Sequence, residues 1–125
     1  MSEKEFKFDL EERTTVFAEN IIKFAKKIPK TAVNLPIIRQ IVRSGTSVGA
    51  NYHEANGASS EKDFKNKICI CKKEAKETKY WLRLIIVANP ELETEGKPLM
   101  QETHELILIF SKVVITMENK SKIEF

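Results

Sequence analysis

The chain has 125 residues, of which 42% are hydrophobic and 31% are charged, and its formal net charge at pH 7 is +3. The apolar content is too high for a disordered chain, and the apolar runs are far shorter than the ~18 residues of a membrane span, which argues against a membrane protein. One domain with one hydrophobic core is expected, and an acidic amino terminus without an apolar signal segment predicts a cytoplasmic location.

The first two predicted helices have apolar faces with helical spacing and are bounded by prolines. Helix one, near residues 9–28, ends before Pro29. Its apolar face consists of Val16, Phe17, Ile21, Phe24, Ala25 and Ile28. Helix two, near residues 36–56, opens with Pro36 after Asn34 as a candidate cap and closes at Gly57. Its predicted seam consists of Ile38, Ile41, Gly45, Val48, Tyr52 and Ala55.

Helix three, near residues 61–88, opens with a capping-box pattern from Ser60 to Asp63. Its seam repeats every three and four residues, through Phe64, Ile68, Cys71, Ala75, Thr78, Leu82 and Ile85. The acidic segment 90–98 is predicted as a loop, with Pro98 in the first turn of helix four, near residues 98–119. Helix four has an apolar stripe of Leu99, Leu106, Ile109, Phe110, Val113 and Met117. Short loops between long helices predict an all-α, antiparallel up-down-up-down four-helix bundle that forms a single domain.

Helix three also has apolar residues away from its seam, namely Ile70, Trp81, Leu84 and Val87. One interpretation is that a large Trp lies at the edge of the bundle and that single exposed aliphatic residues are normal. The run from Tyr80 to Val87 is nevertheless apolar nearly all round, which indicates burial on more than one side. We therefore favour a self-association surface that includes Ile70, Trp81 and Leu84.

The positive charge is concentrated in the middle of the chain, because residues 20–83 hold 14 of the 21 Lys and Arg residues and 5 of the 18 Asp and Glu residues. One side of helix three carries a basic stripe, defined as Lys65, Lys72, Lys76, Lys79 and Arg83, and helix two adds Arg39 and Arg43. Such a stripe is typical of a surface that binds nucleic-acid phosphates. The alternatives are a solvated face, pairing with the acidic ends of the chain, or an acidic protein partner, and no exposed aromatic residue is expected among the lysines as a platform for bases.

Catalytic and metal-binding patterns are not recognisable in the sequence. Residues 44–49 lack the strand and the Gly-Lys ending of a phosphate-binding loop, so their small residues are interpreted as a close approach of two helices. Neither His53 nor His104 belongs to a helical metal motif, and Cys69 and Cys71 would point to different faces as small packing residues. Ser47, Asn51 and Glu54 share a face of helix two, where we favour a hydrogen-bond network over a functional site. We therefore expect no enzyme activity, cofactor, metal or small-molecule substrate.

The segments RSGTSVGANYHEANGASSEKDFKNKI and CKKEAKETKYWLRLI resemble a bacterial four-helix-bundle family that includes proteins encoded by intervening sequences within large-subunit ribosomal RNA genes. The residues at the family's pattern positions are Arg43, Ser47, Asn51, Glu54, Phe64, Glu74, Glu77 and Trp81. The resemblance implies an up-down bundle, a homopentamer with a central pore or groove, and no known enzymatic activity. Related bundles resemble accessory subunits of retroelement reverse transcriptases, which suggests RNA, DNA or a nucleic-acid enzyme as partner. The expected function is a nucleic-acid-binding accessory, and the alternative is a protein-binding scaffold.

Overall fold

The computed structural model describes residues 2–123, and over this range it contains four α-helices and one short 3₁₀ helix. The helices are α1 (Glu3–Lys27), α2 (Asn34–Asn56), α3 (Glu61–Ala88) and α4 (Glu93–Ile123), with the 3₁₀ helix Pro90–Leu92 between α3 and α4. Helix α3 packs against both α2 and α4, and α1 packs against α2 and, over a more limited contact, against α4. This arrangement confirms the predicted all-α four-helix bundle.

Side-chain caps explain where two of the helices begin. The Ser60 hydroxyl accepts a hydrogen bond from the backbone N–H of Asp63 at 3.0 Å, so the predicted cap of α3 is confirmed. Helix α1 begins six residues earlier than predicted, because the Ser2 hydroxyl accepts from the N–H of Glu5 at 3.1 Å. The acidic side chains in this first turn also favour the helix, since they face the positive end of its dipole.

Asn34 does not cap α2, so that prediction is wrong. The Thr31 hydroxyl accepts from the Asn34 backbone N–H at 3.1 Å instead. The Asn34 side chain is buried and exchanges two hydrogen bonds of 2.9 Å with the side chain of Asn89, at the end of α3. The second amide hydrogen of Asn34 donates to the carbonyl of Pro29, and that of Asn89 donates to the carbonyl of Ile85. Every amide hydrogen of the buried pair therefore has an acceptor, and the pair links the start of α2 to the end of α3.

Helix α4 begins at Glu93 rather than near residue 98, so Pro98 lies inside the helix and not in its first turn. Proline lacks the N–H that would bond the carbonyl of Thr94, which removes one helical hydrogen bond. Gly96 and Leu99 in this first part of α4 are buried, as is Leu92 in the preceding 3₁₀ helix, and their burial offsets the loss of the hydrogen bond. A Cβ atom on Gly96 would lie 2.7 Å from Cδ1 of Ile86, which shows how closely α4 approaches α3 here.

The buried apolar side chains form one cluster that contains most of the predicted seam residues. Its largest fully buried members are Phe17, Ile21, Ile28, Ile41, Tyr52, Ile68, Leu82, Ile85, Leu106 and Phe110. Ile38, Phe64, Ile109 and Val113 are partly buried against it, and Met117 is also partly buried. The prediction for Val16 is wrong, because its side chain is 40% exposed at the edge of the α1 face.

None of the described helices has an apolar stretch long enough to cross a membrane.

The small residues of α2 allow a close approach to α1, as the sequence predicts. A Cβ atom on Gly45 would lie 2.9 Å from both γ carbons of Ile21, and one on Gly49 would lie 3.2 Å from the carbonyl oxygen of Thr14. Because Ile21 is branched at Cβ and fully buried, it has little freedom to move away from an added methyl group.

Replacing Gly45 with Ala is therefore expected to destabilise the protein. Overpacking costs about 1–3 kcal/mol, and a fully buried β-branched neighbour at 2.9 Å places the cost in the upper part of this range, above the gain of about 1 kcal/mol in helix propensity. Urea unfolding followed by circular dichroism should show a lower midpoint. Gly57→Ala is the control, because its nearest contact would be an ordinary 3.8 Å and its φ of −98° suits any residue. Unchanged or increased stability of the Gly45 variant would contradict the close approach.

Candidate nucleic-acid interface

The basic stripe of α3 and the two central carboxylates of the helix lie on different sides, although Lys67 pairs with Glu54 of α2 and Glu61 pairs with Lys120 of α4. The basic stripe lies beside α4, where Lys65 pairs with Glu118 at 3.2 Å and the Nζ of Lys79 lies 3.2 Å from Nδ1 of His104. The carboxylates of Glu74 and Glu77 lie on the other side, beside α2, where both pair with Arg43. The basic stripe therefore has no acidic residue of its own helix beside it between Lys65 and Arg83.

Most of the basic stripe is not neutralised by neighbouring helices. Across residues 2–123, no carboxylate lies within 4.0 Å of the charged group of Lys72, Lys76, Lys79 or Arg83. Lys76 and Arg83 are exposed, whereas Lys72 and Lys79 are partly buried along their stems. Lys79 also lines a shallow depression between α3 and α4, whose other lining residues are Thr94, Lys97, Pro98, Met100, Gln101 and His104. The structure thus brings together four cations that can contact phosphates.

Arg39 and Arg43 do not extend this stripe, because they lie on α2, on the opposite side of α3. Arg43 donates to Glu74 at 2.9 Å and to Gln40 at 2.9 Å, and it also forms an ion pair with Glu77. Two carboxylates therefore balance its charge. Arg39 is exposed one turn earlier, and the described part of the chain places no carboxylate within ion-pair distance of it.

Four residues behind the family resemblance, Ser47, Asn51, Glu54 and Glu77, make contacts within α2 or between α2 and α3. The Ser47 hydroxyl and the Asn51 amide donate to backbone carbonyls one turn earlier, at 2.6 Å and 2.8 Å. Glu54 accepts a hydrogen bond of 2.9 Å from Lys67, an interaction that raises the pKa of Lys67, and Glu77 pairs with Arg43. These contacts favour a role in fixing the register of the two helices.

Sequence reasoning did not identify a buried hydrogen bond that also joins these helices. The Thr78 hydroxyl donates to the Ser44 hydroxyl at 2.8 Å, and the Ser44 hydroxyl donates in turn to the carbonyl of Gln40 at 2.7 Å. A polar Thr within the apolar seam of helix three was the available signal, since a buried hydroxyl normally finds a partner.

The apolar residues of α3 that lie away from its seam differ in their exposure. Ile70 is 38% exposed, but Trp81 and Leu84 are only partly exposed, and Trp81 packs against the core. The most exposed apolar residues of α3 are Tyr80 at 54% and Val87 at 72%. The indole Nε1 of Trp81 is buried and has no hydrogen-bond acceptor among the described residues.

Tyr80 overturns the expectation that no exposed aromatic residue lies among the basic residues. Its ring follows Lys76 by four residues and precedes Arg83 by three, so it neighbours both on the surface of α3. The sequence places Tyr80 in an apolar run that is interpreted as part of a self-association surface, and it does not show that this ring is exposed beside the cations. The structure exposes it because α2 and α4 cover the other sides of α3.

The two cysteines point in different directions, as expected. Cys71 is buried and its thiol donates to the carbonyl of Val48 at 3.5 Å, whereas Cys69 is exposed, so only Cys71 is a packing residue. Burial raises the pKa of the Cys71 thiol to about 12.

His53 lies 2.8 Å from Glu11 and thereby links α2 to α1. Among the described side chains, no three His, Cys, Asp or Glu residues are grouped to hold a metal ion.

These environments predict that only one of the two thiols is reactive in the folded protein. At pH 8 a thiol with a pKa near 12 is ionised in roughly one molecule in ten thousand, and the thiolate is the reactive form. A colorimetric disulfide reagent should label one thiol rapidly in native protein and both in denaturant. The Cys69→Ser variant should show no fast reaction. Rapid labelling of that variant would place Cys71 at the surface and contradict the packing.

Comparisons with known proteins agree with this fold. A family model described as 23S rRNA-intervening sequence protein matches residues 7–112. The chain is also similar to a protein of unknown function from the S23 ribosomal protein family of Bacteroides thetaiotaomicron VPI-5482, whose crystal structure was determined at 1.70 Å resolution. The two are 33% identical with a TM-score of 0.76, and the match covers 83% of this chain and 96% of the other. No curated protein matches the chain.

Proposed function

The chain belongs to the 23S rRNA-intervening sequence protein family, and on this premise we propose that it is a non-catalytic, homo-oligomeric helical bundle that binds nucleic acid through the basic stripe of α3. The observation that carries this proposal is the separation of charge on α3. Four cations without carboxylate partners lie on one side of the helix, and its two central carboxylates lie on the other.

The geometry of the stripe suits a nucleic-acid backbone. From Lys72 to Arg83 the helix rises about 16 Å, at 1.5 Å per residue. This length corresponds to about five phosphates of one strand at 3.4 Å per nucleotide. Because lysines on a helix face contribute point charges and read no base edges, the binding is largely independent of sequence.

Self-association supports this function because it repeats the stripe around an axis. Weak contacts from several copies then combine into a higher overall affinity. Ile70 and Leu84, on the side of α3 towards α2, supply an apolar surface for such contacts. The family resemblance implies five copies.

A protein-binding scaffold is the second candidate, and the exposed apolar residues of α3 are the observation that favours it. A scaffold would use these residues and would be indifferent to the charge of the basic stripe. The two functions therefore differ in their response to neutralising lysines.

The triple variant Lys72→Gln, Lys76→Gln and Lys79→Gln tests the proposal. Fluorescence anisotropy with mixed-sequence RNA and DNA oligonucleotides should show binding of the unmodified protein that weakens steeply with salt. Loss of three phosphate contacts should reduce the slope of log K against log salt concentration by about 2 for a single strand. Helicity should be unchanged, because Gln retains helix propensity.

A matched control removes three exposed lysines of α1, Lys4, Lys23 and Lys26, and changes the net charge equally. This control should bind nearly as well as the unmodified protein. Equal losses in the two triple variants would indicate a general charge effect, and absence of salt-sensitive binding in the unmodified protein would leave the scaffold as the function.

The oligomer is tested separately by sedimentation equilibrium at micromolar concentration. The unmodified protein should have a mass well above the 14.4 kDa of one chain. Ile70→Glu should lower this mass, because a carboxylate would be desolvated at the contact. Leu108→Glu, at a 56% exposed residue of α4, is the control and should leave the mass unchanged. A monomeric unmodified protein would refute self-association.

A further inference from the structure

Tyr80 combines three properties that no other residue of the described chain has together. Its ring is aromatic, it is 54% exposed, and it lies between two cations of the basic stripe, Lys76 one turn before it and Arg83 one turn after it. Neither cation has a carboxylate within ion-pair distance over residues 2–123. Glu77, three residues before Tyr80, also neighbours the ring, and its charge is balanced by Arg43. A ring in this position offers a hydrophobic surface between two cations that have no carboxylate partner.

The orientation of the Tyr80 ring is supported from below by Trp81. The two ring centroids are 5.0 Å apart with an interplanar angle of 67°, an edge-to-face arrangement that favours a defined orientation. Trp81 is itself packed against the hydrophobic core, so it forms a rigid base for its neighbour. Tyr80 is thus held in place while more than half of its surface stays accessible.

From this arrangement we infer that Tyr80 is a stacking platform for one unpaired base of a single-stranded nucleic acid. The inference rests on the proposed function and adds the form of the ligand. Lys76 and Arg83 contact the phosphates on either side of the stacked base. A duplex keeps its bases stacked inside the helix, so only a single strand can present a base face to an exposed ring.

The charges beside Tyr80 favour this occupant over a second copy of the chain. Covering Tyr80 with an apolar surface would also bring Lys76 and Arg83 out of water without carboxylate partners, which carries a large desolvation penalty. A nucleic-acid strand covers the ring and supplies a phosphate to each cation. The apolar residues nearer to α2, Ile70 and Leu84, remain available for self-association.

Variants at Tyr80 test the inference by anisotropy, with a labelled 12-nucleotide single-stranded RNA of mixed sequence and the same sequence as a duplex. Tyr80→Leu retains apolar area and removes the aromatic face, so single-strand affinity should fall roughly 5- to 100-fold. Duplex affinity should change less than about twofold, because phosphate contacts are unaltered. Tyr80→Phe should bind like the unmodified protein. Val87→Ala, which trims another exposed apolar side chain of α3, is the control and should also bind normally.

Trp81 provides a second readout, since it is the only tryptophan of the chain. A base stacked on Tyr80 lies close to the indole, so single-stranded RNA should quench Trp81 fluorescence in the unmodified and Tyr80→Phe proteins and much less in Tyr80→Leu. Normal single-strand affinity of Tyr80→Leu, with salt-sensitive binding intact, would overturn the platform and leave the proposed function standing. A lower assembly mass of Tyr80→Leu in sedimentation equilibrium would overturn it as well, because Tyr80 would then lie in a protein contact. Absence of salt-sensitive binding in the unmodified protein would overturn both.

Discussion

The narrow buried seam of α3 is the constraint on which the rest of the molecule depends. This helix packs against both α2 and α4, and its seam is formed by side chains spaced alternately three and four residues apart. Burial of Ile68, Ala75 and Leu82 fixes the rotation of the helix about its axis. That rotation alone places the lysines beside α4 and the carboxylates beside α2. The candidate interface is therefore a consequence of core packing.

Polar contacts then select one register among the arrangements that an apolar seam would permit. The Asn34–Asn89 pair and the Ser44–Thr78 hydrogen bond are buried. Slipping a helix by one turn would leave the amide groups that the two asparagines exchange without partners, whereas Ser44 and Thr78 would each keep a carbonyl acceptor in their own helix. An unsatisfied buried group costs about 1–3 kcal/mol. Arg43 adds to this effect because it balances Glu74, which is buried, together with Glu77.

Sequence periodicity predicted the four helices, most of the core and the position of the basic stripe, because these follow from local spacing. It did not predict contacts between distant residues, such as the pair of asparagines 55 residues apart. The start of α4 was missed because proline is a local signal against helix, whereas the burial of Leu92 and Gly96 depends on the neighbouring helices. The exposure of Tyr80 was missed for the same reason, since an apolar run does not reveal which of its sides a neighbour covers.

The two surfaces proposed for function lie on different parts of one helix, which allows assembly and binding to occur together. The cations proposed to contact phosphates flank α4, while Ile70 and Leu84 lie towards α2, with Tyr80 between the two groups. In the proposed oligomer, contacts between copies bury the apolar part without desolvating the cations. Each added copy then contributes its stripe and its Tyr80 ring to the same strand. An isolated stripe can make only a few phosphate contacts, so under this proposal affinity depends on how many copies one strand can span.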